Sequence, residues 1–274
     1  MASRLGCLWF ASLLAACGEA PLEPREPTPG VAHYRFASYN VHFPEAGNRR
    51  TLDVIGETGA DLLCLQEVNA EWQRSLVERF ELDYPYRLFH PLEGPDGLAV
   101  ISRYPLDDYG VYEVPEGWHP AWHVLVQTPA GPIQVLNVHL RAIFDGGEGN
   151  PFTSYVETQS DHRYQLASYE QHLLTGIPNV ILGDFNEGVD GDAIESLEDQ
   201  GYRNALPLYH PGQPTWRGRS VGGQLEMTID HVLFDRAFEP LNAYVLSSGG
   251  SDHLPVVAHL EAAYDWTAGS TSQN

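Results

Sequence analysis

The sequence predicts an α/β (α+β) protein made of two packed sheets with helices outside them. Three observations carry this. About ten short runs are apolar and rich in Val, Ile, Leu or aromatic residues, as strands are. Only three segments show helical spacing of their apolar residues. That many strands with so few helices do not fit one open parallel sheet, whereas two stacked sheets accommodate them. At 274 residues the chain is long enough for one domain with a sizeable core.

Taken in order, the chain opens with Arg4 and the apolar run "LGCLWFASLLAAC", of signal-peptide length and short for a bilayer span. Leu14-Ala15-Ala16-Cys17 followed by Gly18 resembles a bacterial lipobox. Residues 1–16 are therefore expected to be a signal peptide, with Cys17 lipidated. Residues 17–30 are Pro-rich and read as an extended tether of some ~40 Å in polyproline geometry. The main domain is expected over 31–262 and a polar tail over 263–274. Cys64 then stands alone in "LLCLQ", a small core residue with no disulfide partner.

Within the domain the strand-like runs are "YRFASYNVHF", "ADLLCLQEV", "YRLFH", "GLAVISRY", "WHVLVQT", "PIQVLNVHL", "NVILGDF", "IDHVLF", "NAYVLSS" and "LPVVAHL". "TPAG" between two of them signals a tight turn. Helices are predicted over 49–59, over 70–80 with Trp72, Leu76, Val77 and Phe80 inward, and over 157–175 with Tyr164, Ala167, Leu173 and Leu174 on one flank. Residues 141–161 read as a long Gly-rich loop, where specificity is often set.

Composition excludes several chemistries. All 15 basic residues are Arg, so Lys Schiff bases, PLP attachment and a Walker-type phosphate loop are out. A net charge of -22 argues against binding a long polyanion through a basic surface. It leaves phosphate substrates open, because divalent cations reverse the local sign.

The informative pattern is a polar interruption near the end of each apolar run. Asn40 follows "FASY", Glu67 follows "LLCLQ", and Asn137 and His139 follow "IQVL". Asp184 and Asn186 follow "VILG", Asp230 begins "DHVLF", and Asp252 and His253 precede "LPVVAHL". Residues two apart on a strand share a face, so Asn137 can point with His139, and Asp184 with Asn186.

The ordered motifs "SYNVH", "LQEV", "LNVHL", "LGDFN", "TIDHVLF" and "SDHLPV" resemble those of the endonuclease/exonuclease/phosphatase superfamily, the DNase I-like metallo-phosphoesterases. The resemblance runs from about residue 34 to 261. It implies a four-layer αββα sandwich of two mostly antiparallel sheets, with the active site at one sheet edge. It also implies phosphate-ester hydrolysis with Mg²⁺, or Mn²⁺ or Ca²⁺ in its place.

The residue types suit that chemistry, which needs a charge-neutralising cation, an activated water and donors to the oxyanion. Glu67 is a hard ligand for Mg²⁺, and Asn40 offers the same ion a neutral oxygen. Asp184 is placed to orient or deprotonate water, and Asn186 to donate to a phosphoryl oxygen. His253 serves as acid, base or cation and needs a carboxylate to fix its tautomer. By resemblance Asp230 supplies that carboxylate, and Asp252 is a further metal ligand or stands behind one. His139 resembles the second histidine of the nuclease and lipid-phosphodiesterase branches, with Asn137 a phosphate contact beside it. Packing roles are expected for His42 and His231 and a structural role for Arg163 and Gln165; Trp118, His119, Trp122 and His123 form an aromatic-rich stretch for which sheet packing is expected, with the border of a substrate pocket as the alternative.

The expected activity is a phosphodiesterase, either a secreted nuclease or a lipid-headgroup enzyme, acting as a monomer at the cell envelope or outside it. Its partners would be nucleic acid, a nucleotide or a phospholipid headgroup, with the membrane reached through the lipid anchor. The alternatives are a small-molecule phosphomonoesterase, or a non-catalytic surface module that keeps the fold.

Overall fold

The computed structural model describes residues 20–114, 118–142, 151–220 and 223–263. The signal and lipobox residues, the "DGGEGN" stretch and the polar tail beyond residue 263 lie outside them.

Two six-stranded sheets face each other. The first contains β1 (His33–Asn40), β2 (Leu62–Gln66), β3 (Tyr86–His90) and β4 (Leu98–Ser102). The second contains β5 (Leu106–Tyr112), β6 (Ala121–Thr128), β7 (Gly131–His139), β8 (Asn179–Asp184) and β9 (Arg203–Asn204). A separate ribbon pairs β10 (Trp216–Ser220) with β11 (Gly223–Met227). The second sheet is completed by β12 (Asp230–Phe234), and the first by β13 (Phe238–Val245) and β14 (Val256–Ala262). The orders are β13-β14-β1-β2-β4-β3 and β5-β6-β7-β8-β12-β9. Only β1/β2 and β7/β8 are parallel; every other neighbouring pair is antiparallel.

Helices α1 (Arg49–Glu57) and α2 (Ala70–Phe80) cover the outer face of the first sheet, burying Val54, Ile55, Trp72, Leu76 and Phe80 against Ala37, Tyr39, Leu63 and Leu65. Asn48 and Asn69 cap these helices by accepting the first free N–H groups, Asn69 from Trp72 at 2.9 Å. Helices α3 (Pro151–Glu170) and α4 (Asp192–Asp199) cover the second sheet, and a short α5 (Ala205–Tyr209) joins the core between the sheets. The four-layer sandwich expected from the sequence is present.

Three sequence expectations change. Helix α3 runs over 151–170, so the loop after residue 141 is shorter than expected. Its inward face includes His162, Gln165, Leu166 and Tyr169, while Tyr164 is 52% exposed. The apolar pattern misled because two of these four buried positions are polar, each hydrogen-bonded. Val77 lies at the surface of α2. The segment read as a tether is also different: residues 22–28 lie against the domain, held by Leu208, Leu241 and Glu261.

Strand alternation prepares the site. The inner faces carry Phe36, Leu62, Val135, Val180, Leu182, Val232 and Phe234, with Cys64 among them, in one core. Burying each large side chain stabilises the fold by about 1.5–3 kcal/mol. The next inward positions toward one end of the strands are Ser38 and Asn40, Gln66, Asn137 and His139, Asp184 and Asp230. The apolar core thus becomes polar at a single end of the sandwich.

Candidate active site

At that end, pairing register fixes the neighbours. Asn40 lies beside Gln66, His139 beside Asp184, and Asp230 opposite Asp184. Gly183 permits the approach of β7 to β8, since a Cβ there would fall 1.9 Å from the Val138 carbonyl oxygen. Past Asp184 the chain turns sharply. Asn186 adopts φ 51°, and its N–H donates to Asp184 Oδ1 at 2.9 Å. This is an Asx turn, a conformation Asn tolerates. Glu67 also has a left-handed backbone, φ 62°, which is uncommon outside Gly and places its carboxylate at the sheet end.

Asp184 is buried between two imidazoles. His253 Nε2 lies 3.5 Å and His139 Nε2 3.6 Å from its Oδ2. The other nitrogen of His253, Nδ1, meets Asp230 Oδ2 at 2.9 Å and Oδ1 at 3.1 Å. Burial alone would lower the His253 pKa, but Asp230, Asp184 and Asp252 outweigh it and push it up to about 10. His139 goes the other way: burial, then the neighbouring His119 and His253, hold it well below the usual imidazole range. Burial raises Asp184 to about 6 despite His253.

Asn40 lies between two carboxylates. Its amide donates to Glu67 Oε1 and Asp184 Oδ2, both at 3.0 Å, while its oxygen accepts the His42 N–H at 3.0 Å. It braces these two carboxylates at the sheet end. Asn137 lies deeper, fully buried. It donates to the carbonyls of Leu65 and Ala99 in the opposite sheet and accepts from Gln66 Nε2 at 2.7 Å. Its hydrogen-bonding groups are engaged one layer below the site, so it ties the sheets together instead of meeting phosphate.

Glu67 and Asp252 face each other across His42, whose Nδ1 is 3.8 Å from Glu67 Oε2 and 3.4 Å from Asp252 Oδ1. Glu67 accepts neutral hydrogen bonds from Asn40 and the Phe43 N–H. Among the described residues no Arg pairs with Glu67, Asp184, Asp230 or Asp252. Hard carboxylates converging without a matching cation fit a divalent ion such as Mg²⁺. Asp184, Asp230 and His253 also bring potential ligand atoms within 4.8 Å of one another. There the His253 ring already bridges the carboxylates, so Glu67 and Asp252 are the better metal ligands.

These groups line a cavity of about 770 Å³. Its wall contains His42, for which packing is expected, and Trp118 and His119, for which the pocket-border alternative holds. His119 stacks on His139, with ring centroids 3.9 Å apart and planes 11° from parallel. Its Nδ1 is 2.6 Å from Asp96 Oδ1, and its carbonyl accepts from Gln165 Nε2 and Tyr169 Oη. Trp122 and His123 stay in the sheet, as expected, and His231 hydrogen-bonds to the Glu187 carbonyl.

The sequence pattern missed Arg141 and Trp216. Arg141 lines the cavity and is held by Asp161 at 2.6 Å, with its backbone N–H on Gln165 and its carbonyl on His162. Trp216 Nε1 donates to Asp252 Oδ2 at 2.9 Å. Arg141 directly follows the "LNVHL" motif, a signal that was available; nothing in "PTWRG" marked Trp216.

The sequence profile of the Endonuclease/Exonuclease/phosphatase family matches residues 37–253. The chain belongs to this family. Its members are metal-dependent phosphoesterases, nucleases and phosphatases among them. Among curated proteins, none matches the sequence. Solved structures share the fold. An endonuclease/exonuclease/phosphatase from Beutenbergia cavernae aligns with TM-score 0.66 and 22% identity, over 85% of this chain and 72% of that one. The human Nocturnin catalytic domain with bound sulfate aligns with TM-score 0.64 and 18% identity, over 84% and 95%. A mannosyl-6-phosphatase from Bacteroides thetaiotaomicron aligns with TM-score 0.60 and 16% identity, over 83% and 99%.

Proposed function

We propose that the protein is a phosphodiesterase that uses a divalent cation, Mg²⁺ first, and attack by water in line with the leaving oxygen. The observation that carries this is Asp184 set between two imidazoles of opposite charge preference, beside Glu67 and Asp252, which no Arg neutralises among the described residues. Glu67 and Asp252 would hold the cation, which would supply charge neutralisation at the phosphoryl oxygens. Asp184 orients the attacking water and takes its proton through Oδ2. His253, kept cationic by Asp230, offers Nε2–H to the developing oxyanion. Asn186 gives one amide hydrogen to the Leu140 carbonyl at 3.0 Å, which orients the other toward phosphate. Neutral His139 donates a hydrogen bond, not a proton, to the leaving oxygen, which takes its proton from solvent water.

A second reading, hydrolysis of a small phosphomonoester, draws support from the similarity to the mannosyl-6-phosphatase and from the size of the cavity. The absence of Lys and the charge of -22 weigh against a long nucleic acid. The "LAAC" motif supports a lipoprotein at a bacterial cell envelope.

The test is turnover of bis-p-nitrophenyl phosphate, p-nitrophenyl phosphate, RNA and sphingomyelin, with Mg²⁺ or EDTA, beside Glu67→Ala. Mg²⁺-dependent cleavage of bis-p-nitrophenyl phosphate, lost in the variant, is expected. Cleavage of the monoester alone would move the assignment to a phosphatase. Tight ligand binding with no turnover would leave a binding module.

A further inference from the structure

Residues 20–30 form a strap on the domain surface. Pro21, Pro24, Pro27 and Pro29 have no N–H to give. Between them, Leu22 N–H donates to the Leu208 carbonyl at 2.7 Å and Arg25 N–H to the Leu241 carbonyl at 2.9 Å. Thr28 N–H donates to Glu261 Oε2 at 2.8 Å. The donors recur every third residue, the repeat of a polyproline II helix, so one edge of the strap faces the domain throughout. Arg25 and Thr28 add side-chain contacts to Glu261 Oε1 at 2.5 and 3.1 Å, and Glu261 is only 5% exposed.

The strap lies at the end of the sandwich remote from the cavity. Glu261 is opposite His33 at the start of β1, whereas Asn40 at its other end belongs to the site. A strand of that length spans roughly 23 Å at ~3.3 Å per step. Ala20 and Leu22 border Tyr202 and Arg203. Arg203 is opposite Phe234, at the end of β12 away from Asp230. The chain leading back to Cys17 therefore departs from the remote end. Cys17 is joined to Ala20 through Gly18 and Glu19 alone, a reach of at most ~11 Å.

We propose that the strap fixes the orientation of the membrane-held protein. With Cys17 as anchor, the remote end rests on the bilayer and the cavity opens away from it. The substrate is then a phosphate ester dissolved in the facing medium, not a headgroup of the anchoring bilayer. This rests on the phosphoesterase reading and on lipidation at "LAAC". A free tether would let the cavity turn to the membrane; a docked strap with an ~11 Å lead does not.

The test uses the full chain, purified from membranes and placed in phosphatidylcholine–phosphatidylglycerol vesicles with a headgroup-linked energy acceptor. Single donors are attached at Glu93→Cys, an exposed site two residues from cavity-lining Pro95, or at Asp199→Cys, exposed at the remote end. Cys64 is buried and takes no label. Energy transfer from position 199 is expected to exceed that from position 93 severalfold. A flexible Gly-Ser segment of roughly 30 residues, inserted between Glu19 and Ala20, should erase most of the difference. Soluble bis-p-nitrophenyl phosphate should be turned over while vesicle headgroups stay intact. Equal or reversed transfer, cleavage of anchoring headgroups, or a chain that does not stay with the vesicles would overturn the proposal. Loss of all turnover with the transfer order intact would instead refute the phosphoesterase reading and support the orientation.

Discussion

His253 and His139 stand at nearly the same distance from the same carboxylate oxygen, 3.5 and 3.6 Å from Asp184 Oδ2, yet they are opposites. Behind His253 is a carboxylate, Asp230, and behind His139 is another imidazole, His119. Both rings are buried, which by itself disfavours charge on each. The partner decides the outcome: a cation on one side of Asp184 and a neutral ring on the other. Residue type and distance to the reacting group therefore do not define a histidine's role; the group beyond it does.

Removing His253 should have the largest effect. His253→Ala is expected to lower kcat by roughly 10²–10³-fold, the range for removing a donor to the developing oxyanion. Steady-state kinetics on a diester, with circular dichroism to show an intact fold, checks this.

Asp230→Asn tests what lies behind His253. It keeps the shape and removes the charge that offsets burial. The His253 pKa should fall from about 10 toward or below the ordinary imidazole value, and kcat by roughly 10²-fold with KM little changed. Imidazole ¹⁵N shifts followed against pH give the first readout, and kinetics the second.

On the other side the effect should be smaller. His119→Gln removes a neighbour that disfavours charge on His139, so the His139 pKa should rise. A loss in kcat of about tenfold or less, with the acidic limb of the pH–rate profile moved to higher pH, is expected. An unchanged profile would reduce the stacked pair to packing.

The smallest effect concerns two histidines away from the cavity. Burial lowers both His231 and His259 to about 4, with Arg35 and His33 adding to the shift of His259. Their folded pKa values lie below the ordinary 6.5, so the unfolded chain binds more protons between the two. Their contribution is full above about pH 6.5 and is lost as pH falls from about 6.5 through about 4. A Tm lowered by a few degrees over that window, and less so in His259→Gln, is the expected scan.

Most of the fold was legible because its strands are short, apolar and punctuated. Most of the parts that were not share one cause: a residue's neighbour across space overrode its sequence signal. Helix α3 hides its inward face because His162 and Gln165 are buried but satisfied by Glu187, Arg141 and His119. Strand β9 has two residues and α5 five, too short to show a period. In the site, Asp184, Glu67, Asp230 and His253 could be read from polar residues at strand ends. Asn137 sits in the same pattern but one layer down, bonded to the facing sheet, and alternation alone does not tell layers apart. The role of His119 depends on Asp96, 23 positions earlier, a pairing that no local pattern reveals.

The most direct measurement is hydrolysis of bis-p-nitrophenyl phosphate by the wild-type domain and by Asp184→Asn, with Mg²⁺ and with EDTA. Wild-type turnover that needs Mg²⁺, and a folded variant slower by at least roughly 10²-fold, is the predicted result. A variant that turns over at the wild-type rate would contradict the placing of Asp184 at the centre of the chemistry.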